Sequence, residues 1–250
     1  MTPAIEGTVP TRDAIRSALR SVTDPELDRS IVELDYIEDL EIEDGTVIVA
    51  FALPTAWCSP TFAWMMATDA RDAISELEGV GDVRIVLRDH MHATEVTRGV
   101  NEGMAFSDAF ETADGDIAET RATLDRKARL ARQYDAIKEL ADAGLDDAQL
   151  AALRREDIGF EGGRAMIDLD EFYVEVDADP LKRYLEKATS VGVVEELGDR
   201  LFVSRDGDPL ATEDVQTARS ASRLAKTNMG GQGGVCASLH AARNPELASD

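Results

Sequence analysis

The stretch "VIVAFALPTAWCSPTFAWMM", Val47 to Met66, runs from a strand directly into a helix. Val47, Val49, Phe51 and Leu53 recur at every second position, the pattern of a half-buried strand, because successive side chains point to opposite faces. Ser59 suits an N-cap and Pro60 the first helical position. Phe62, Met66, Ala70, Ala73, Ile74 and Leu77 then follow at helical spacing. Cys58 lies between the two elements, one residue before the helix N-terminus. Unpaired N–H groups and the helix dipole favour negative charge there, and thiolate, not thiol, is the nucleophile and metal ligand. The same residue beside Trp57 reads equally as a small buried hydrophobe.

Upstream, Thr11 can cap a helix with Ile15, Ala18, Leu19 and Val22 on one face. Pro25 ends it, because proline disfavours helical geometry at the preceding Asp24. Leu40 and Ile42 lead into "EDGT", whose Asp44-Gly45 pair is a hairpin signal, so the Val47–Leu53 strand returns antiparallel. Downstream of the helix, "GVGD" turns into a strand with Val83, Ile85 and Leu87. The fold class is α+β: a two-layer α-β-β-α-β domain over residues 1–89.

Residues 90–115 read as an ordered linker whose Phe106 and Phe110 are placed to dock on that domain. Residues 116–205 form a mainly helical, partner-binding region. A charged helix spans Ile117 to Ala143 and stops at Gly144, and Asp146 or Asp147 caps a shorter one. Asp179-Pro180 starts another helix, and a hairpin is expected around "LGDR" between Val193 and Val203. Residues 206–250 are a glycine-containing tail in which "GGQGG" has the composition of a flexible linker. Cys236 and His240 follow it at i and i+4, sharing one face of a helix at a spacing compatible with a metal site. Two ligands do not complete such a site, and a solvent-facing pair is the alternative.

The chain has 250 residues and a formal net charge of -24, and 21 of its 26 basic residues are arginine. So acidic a surface repels phosphate backbones and anionic lipid, which argues against nucleic-acid and membrane partners, including for the winged-helix outline of a helix followed by a hairpin. It suits a salt-rich cytoplasm, where ions screen self-repulsion. The melting temperature is accordingly expected to rise by about 5 °C or more between low and molar potassium chloride; a flat response would remove the halophile reading. "MTPAIEGTVPTRD" has neither a basic n-region nor an apolar h-region, so a cytoplasmic protein with reduced thiols is expected.

Taken together, "SVTDPELDRSIVELDYIEDLEI", "VIVAFALPTAWCSP" and "ELEGVGDVRIVL" resemble the metal-sulfur cluster assembly factor family, the domain shared by SufT-type and PaaD-type proteins and the eukaryotic cytosolic iron-sulfur targeting factors. The signatures fall on Asp24-Pro25-Glu26, on Thr55 and Cys58, and on Gly79-Val80, over roughly Arg12 to Leu87. Ser59 departs from the Cys-Pro pair frequent in the family.

The resemblance implies a non-enzymatic maturation factor that carries iron or an iron-sulfur cluster to a client metalloprotein alongside other assembly proteins. Cys58 is then the cargo-handling thiol. Asp24 and Glu26 either line its surface or are solvated decoration, and Thr55 either donates a hydrogen bond to the sulfur or ends the strand. Cys236 and His240 would join Cys58 as metal ligands, within one chain or across a homodimer. "DHMHATEVTRGVNEGMAFSDAF" and the tail are similar to longer members encoded near di-iron monooxygenases, which suggests such a client. Two alternatives stand beside this reading: a Cys-dependent enzyme using His90 or His92, and an adaptor with inert cysteines.

Overall fold

Thr11 starts the first helix, because its Oγ1 accepts the Ala14 N–H at 3.1 Å. The helix, α1 (Arg12–Leu19), buries Ile15 and Leu19. The structure is a computed structural model describing residues 10–110, 117–169 and 173–243. It divides into two units, one formed by the described parts of Met1–Thr120 and Gln232–Asp250 and the other by those of Arg121–Gly231.

In the first unit a short antiparallel ribbon of β1 (Thr23–Asp24) and β2 (Arg29–Ser30) frames the Asp-Pro-Glu turn. β3 (Ile37–Glu43) and β4 (Thr46–Ala52) pair antiparallel through Asp44-Gly45. Both turn residues have positive φ, 48° and 83°, the geometry that matches the twist of paired strands. α2 (Pro60–Ser75) crosses back to β5 (Asp82–Arg88), which lies parallel to β4, giving the order β3-β4-β5. β4 is central, so only its first half shows the alternation of a half-buried strand; Val49 to Ala52 are all buried.

The segment after β5 does more than connect. In α3 (Ala93–Asn101), Thr97 Oγ1 accepts the Leu87 N–H at 3.1 Å and Asn101 Oδ1 accepts the Ile85 N–H at 2.9 Å. Asn101 Nδ2 also donates to the Ile85 carbonyl at 2.8 Å, so α3 side chains satisfy the outer edge of β5. After α4 (Phe106–Ala109), the rings of Phe106 and Phe110 stand 5.4 and 6.1 Å from Trp64, which is 6% exposed.

From Arg121 on, α5 (Ile117–Asp142) belongs to the second unit, and it is ended by Gly144 at φ +102°. α6 (Asp147–Ala152) carries a capping box between Asp146 and Gln149. β6 (Ile158–Glu161), β7 (Arg164–Asp168) and β8 (Tyr173–Asp177) form an antiparallel meander, followed by α7 (Ala178–Ser190). Apolar side chains from Ile137, Leu140, Leu181, Leu201 and Phe202 build the core. Within it Gln133 Oε1 accepts from Tyr184 Oη at 3.1 Å, and Arg129 Nη2 donates to the Ser204 and Arg205 carbonyls at 2.9 Å each.

Two expectations change here. The hairpin turns at Gly162-Gly163, not around "LGDR". A turn does form there, because Asp199 Oδ2 accepts from the Glu195 and Glu196 N–H groups, but no paired strands flank it: Leu201, Phe202 and Val203 are all buried in succession instead of alternating. The glycine run is not a linker: it lies inside α8 (Val215–Arg243), a continuous helix. Its Ala225 and Met229 pack on Ala128, Leu130 and Ala131, so packing on the N-terminal side extends helix through residues that alone would not hold it. Among the described residues no helix is long and apolar enough to cross a membrane.

Candidate cluster-handling site

Cys58 sits where the sequence places it, between the end of β4 and the first turn of α2, half-buried. Pro60 opens the helix, and Ser59 occupies the N-cap position without a side-chain bond to the helix. Thr55 lies past the last residue of β4, and its Oγ1 is 3.2 Å from Cys58 Sγ. The hydroxyl therefore contacts the sulfur.

His90 serves the backbone of Cys58, not its thiol. The His92 N–H donates to His90 Nδ1 at 3.1 Å, which leaves the proton on Nε2, and Nε2–H donates to the Cys58 carbonyl at 2.8 Å. Burial holds the His90 ring below the usual imidazole range, the bond to Cys58 notwithstanding. With both ring nitrogens engaged, His90 is spent as a brace. Neither nitrogen is left to take a proton from the sulfur, and this weighs against His90 as the base of a Cys-His nucleophile pair.

Asp24 is buried and structural. Its Oδ1 accepts the N–H groups of Glu26 at 2.9 Å and Leu27 at 3.1 Å, and its Oδ2 accepts from Tyr36 Oη at 3.3 Å. Burial raises the carboxyl above the usual range despite these bonds. Burial also raises the Tyr36 phenol well above its ordinary value, helped by the adjacent Asp24 charge and the two cysteine thiols, so Tyr36 remains a donor. Glu26, in the same turn, accepts from Gln232 Nε2 at 2.9 Å.

That bond brings the C-terminal part of α8 onto this surface. The His240 ring lies 5.7 Å from the Tyr36 ring. Cys236 and His240, one helical turn apart, line a cleft of about 300 Å³ with Leu27, Arg29, Leu34 and Tyr36. Burial raises the Cys236 thiol, and the charges of Asp24, Cys58 and Glu26 act in the same direction. Four of the six residues singled out from sequence, Asp24, Glu26, Cys236 and His240, thus gather around Tyr36, and Cys58, in contact with Thr55, is close enough for its charge to act on the Cys236 thiol. Among the described residues no three His, Cys, Asp or Glu side chains are grouped to hold a metal ion. Tyr36 and Gln232 were not singled out. The second had a signal, as the one side chain inside a glycine run.

The family profile for "Iron-sulfur cluster assembly protein" matches residues 12–86. An uncharacterized protein of Methanocaldococcus jannaschii is 30% identical over 93 residues, which are 37% of this chain and 96% of that protein. An iron-sulfur cluster carrier protein of Synechocystis is 39% identical over 75 residues, 30% of this chain, but the match spans only 21% of that carrier's length. Residues 12–86 hold the Asp24 turn, the Thr55–Cys58 contact and the three-stranded sheet, and through them the chain belongs to the iron-sulfur cluster assembly protein family.

Proposed function

We propose that this chain carries an iron-sulfur cluster or iron as cargo and delivers it to a client metalloprotein, with Cys58 as the anchoring thiol and Cys236 and His240 as further ligands. The observation that supports the reading is that the Cys236–His240 turn packs against the Asp24–Tyr36 surface, close enough to Cys58 for the two thiols to interact electrostatically. Soft thiolate and imidazole donors suit iron in such sites. A cluster takes about four ligands, so the cargo itself must draw the donors together, with the last supplied by a second copy or by the receiving client. Delivery requires that the set be incomplete in one chain, since a fully closed cage would not release. The similarity of residues 89–110 and of the tail to proteins encoded near di-iron monooxygenases favours that class of client.

Anaerobic reconstitution with iron and sulfide tests the reading. Visible absorbance and stoichiometric iron are expected to survive desalting. A colourless, iron-free protein under these conditions would leave an adaptor with inert cysteines.

A further inference from the structure

Gln232 is the one side chain between the glycines of "GGQGG", and it reaches Glu26 in the Asp-Pro-Glu turn at 2.9 Å. The glycines around it answer no steric demand. A Cβ added at Gly230, Gly231 or Gly234 would meet nothing within 4 Å, and one at Gly233 would meet only Leu27 Cδ2 at 3.8 Å, an ordinary contact. None of the four has positive φ. Glycine inside a helix favours coil over helix by about two- to fivefold relative to alanine, so four shift the balance by on the order of a hundredfold. The helix is thus weakest one turn before the residues that pack on the Asp24–Tyr36 surface.

We propose that Gln232–Ala242 is a detachable strap, in which Gln232 is the positioning residue that clamps the segment to Glu26 and the glycine run is where α8 melts to release it. Docked, the strap presents Cys236 and His240 to the Asp24–Tyr36 surface. Released, it carries them away and opens the approach to Cys58. Its use in loading and unloading cargo rests on the carrier reading, whereas its opening and closing do not. Gln232 touches no cargo in this scheme; it acts by setting where Cys236 stands.

The strap is read in cargo-free full-length protein by the alkylation rate of Cys236 with iodoacetamide, in a Cys58→Ser background so that one thiol reports, together with amide exchange over residues 232–242. Gln232→Glu puts a second carboxylate against Glu26 and is expected to raise alkylation about tenfold, the scale of losing a hydrogen bond to a charged group. Gln232→Lys restores an attractive contact with Glu26 and should return the rate to within about twofold of the parent. Alanine at Gly230, Gly231, Gly233 and Gly234 together should slow alkylation by tenfold or more and deepen exchange protection, as the helix preference above requires. Equal rates in Gln232→Glu and parent, or a four-alanine protein as reactive as the parent, would overturn the strap. Iron and sulfide retention, measured separately on the Cys58-containing proteins, distinguishes the two proposals. Rates that shift as expected in a protein holding no cargo overturn the carrier reading alone; retained cargo with unmoved rates overturns the strap alone.

Discussion

Cys58→Ser is expected to lower iron and sulfide retention by more than about a hundredfold, since losing the proposed anchoring ligand should exceed the 10- to 100-fold effect typical of groups that merely orient one. The fold should survive. Serine is close in size, the site is half-buried, and a hydroxyl at this position can keep the contact with Thr55 Oγ1, so stability should change by less than about 1 kcal/mol. The His90 brace acts on the Cys58 carbonyl and is untouched by the substitution. Retention after anaerobic reconstitution and thermal melting followed by circular dichroism, run on the same preparation, check both halves. A variant that melts early yet holds cargo like the parent below its melting point would show Cys58 to be a core residue.

The largest effect on stability is expected at Gly99, far from the thiol in chemistry but central to the packing behind it. A Cβ on Gly99 would stand 2.5 Å from Trp64 Cη2 and 2.6 Å from Cζ3, with the Ala109 methyl at 3.1 Å. The indole has no room to retreat, since Phe106 and Phe110 pack against it. Gly99→Ala gains about 1 kcal/mol in helix preference, yet overpacking of this kind costs roughly 1–3 kcal/mol and more for a rigid ring. A net loss of about 2 kcal/mol, or 4–8 °C in melting temperature, is expected for alanine, and a larger one for valine. Calorimetry measures it. A melting temperature equal to or above that of the parent would mean that α3 shifts freely, contrary to its three hydrogen bonds along β5.

That glycine marks the boundary of what the sequence makes legible. Asp44-Gly45, the alternation in Val47–Leu53 and the Ser59-Pro60 start are local signals, and the observed hairpin and helix follow them. α3, by contrast, is built from "ATEVTRGVN", rich in β-branched residues and interrupted by glycine, so its local preference is weak. Its helix is fixed by Thr97 and Asn101 meeting a strand edge that no local pattern announces. The Gly162-Gly163 hairpin did carry a signal, a turn pair between Phe160 and Ala165, but β6 and β7 are only four and five residues long. Cys58 was legible because a thiol at a strand–helix junction is locally conspicuous. The arrival of Cys236 beside Asp24 depends on a helix that glycine composition argues against.

The covering of β5 by Thr97 and Asn101 bears on how the molecule behaves in a crowded solution. A strand with bare N–H and C=O groups is a template on which another chain can build, and here that edge is already occupied. The opposite edge, β3, is guarded by charge instead: "IEDLEIE" carries Glu38, Asp39, Glu41 and Glu43. Two such strands approaching edge to edge bring eight carboxylates together, which at neutral pH forbids pairing. Repulsion between exposed charges is screened by salt, so this second guard weakens as ionic strength rises, whereas the hydrogen-bonded cover on β5 does not depend on it.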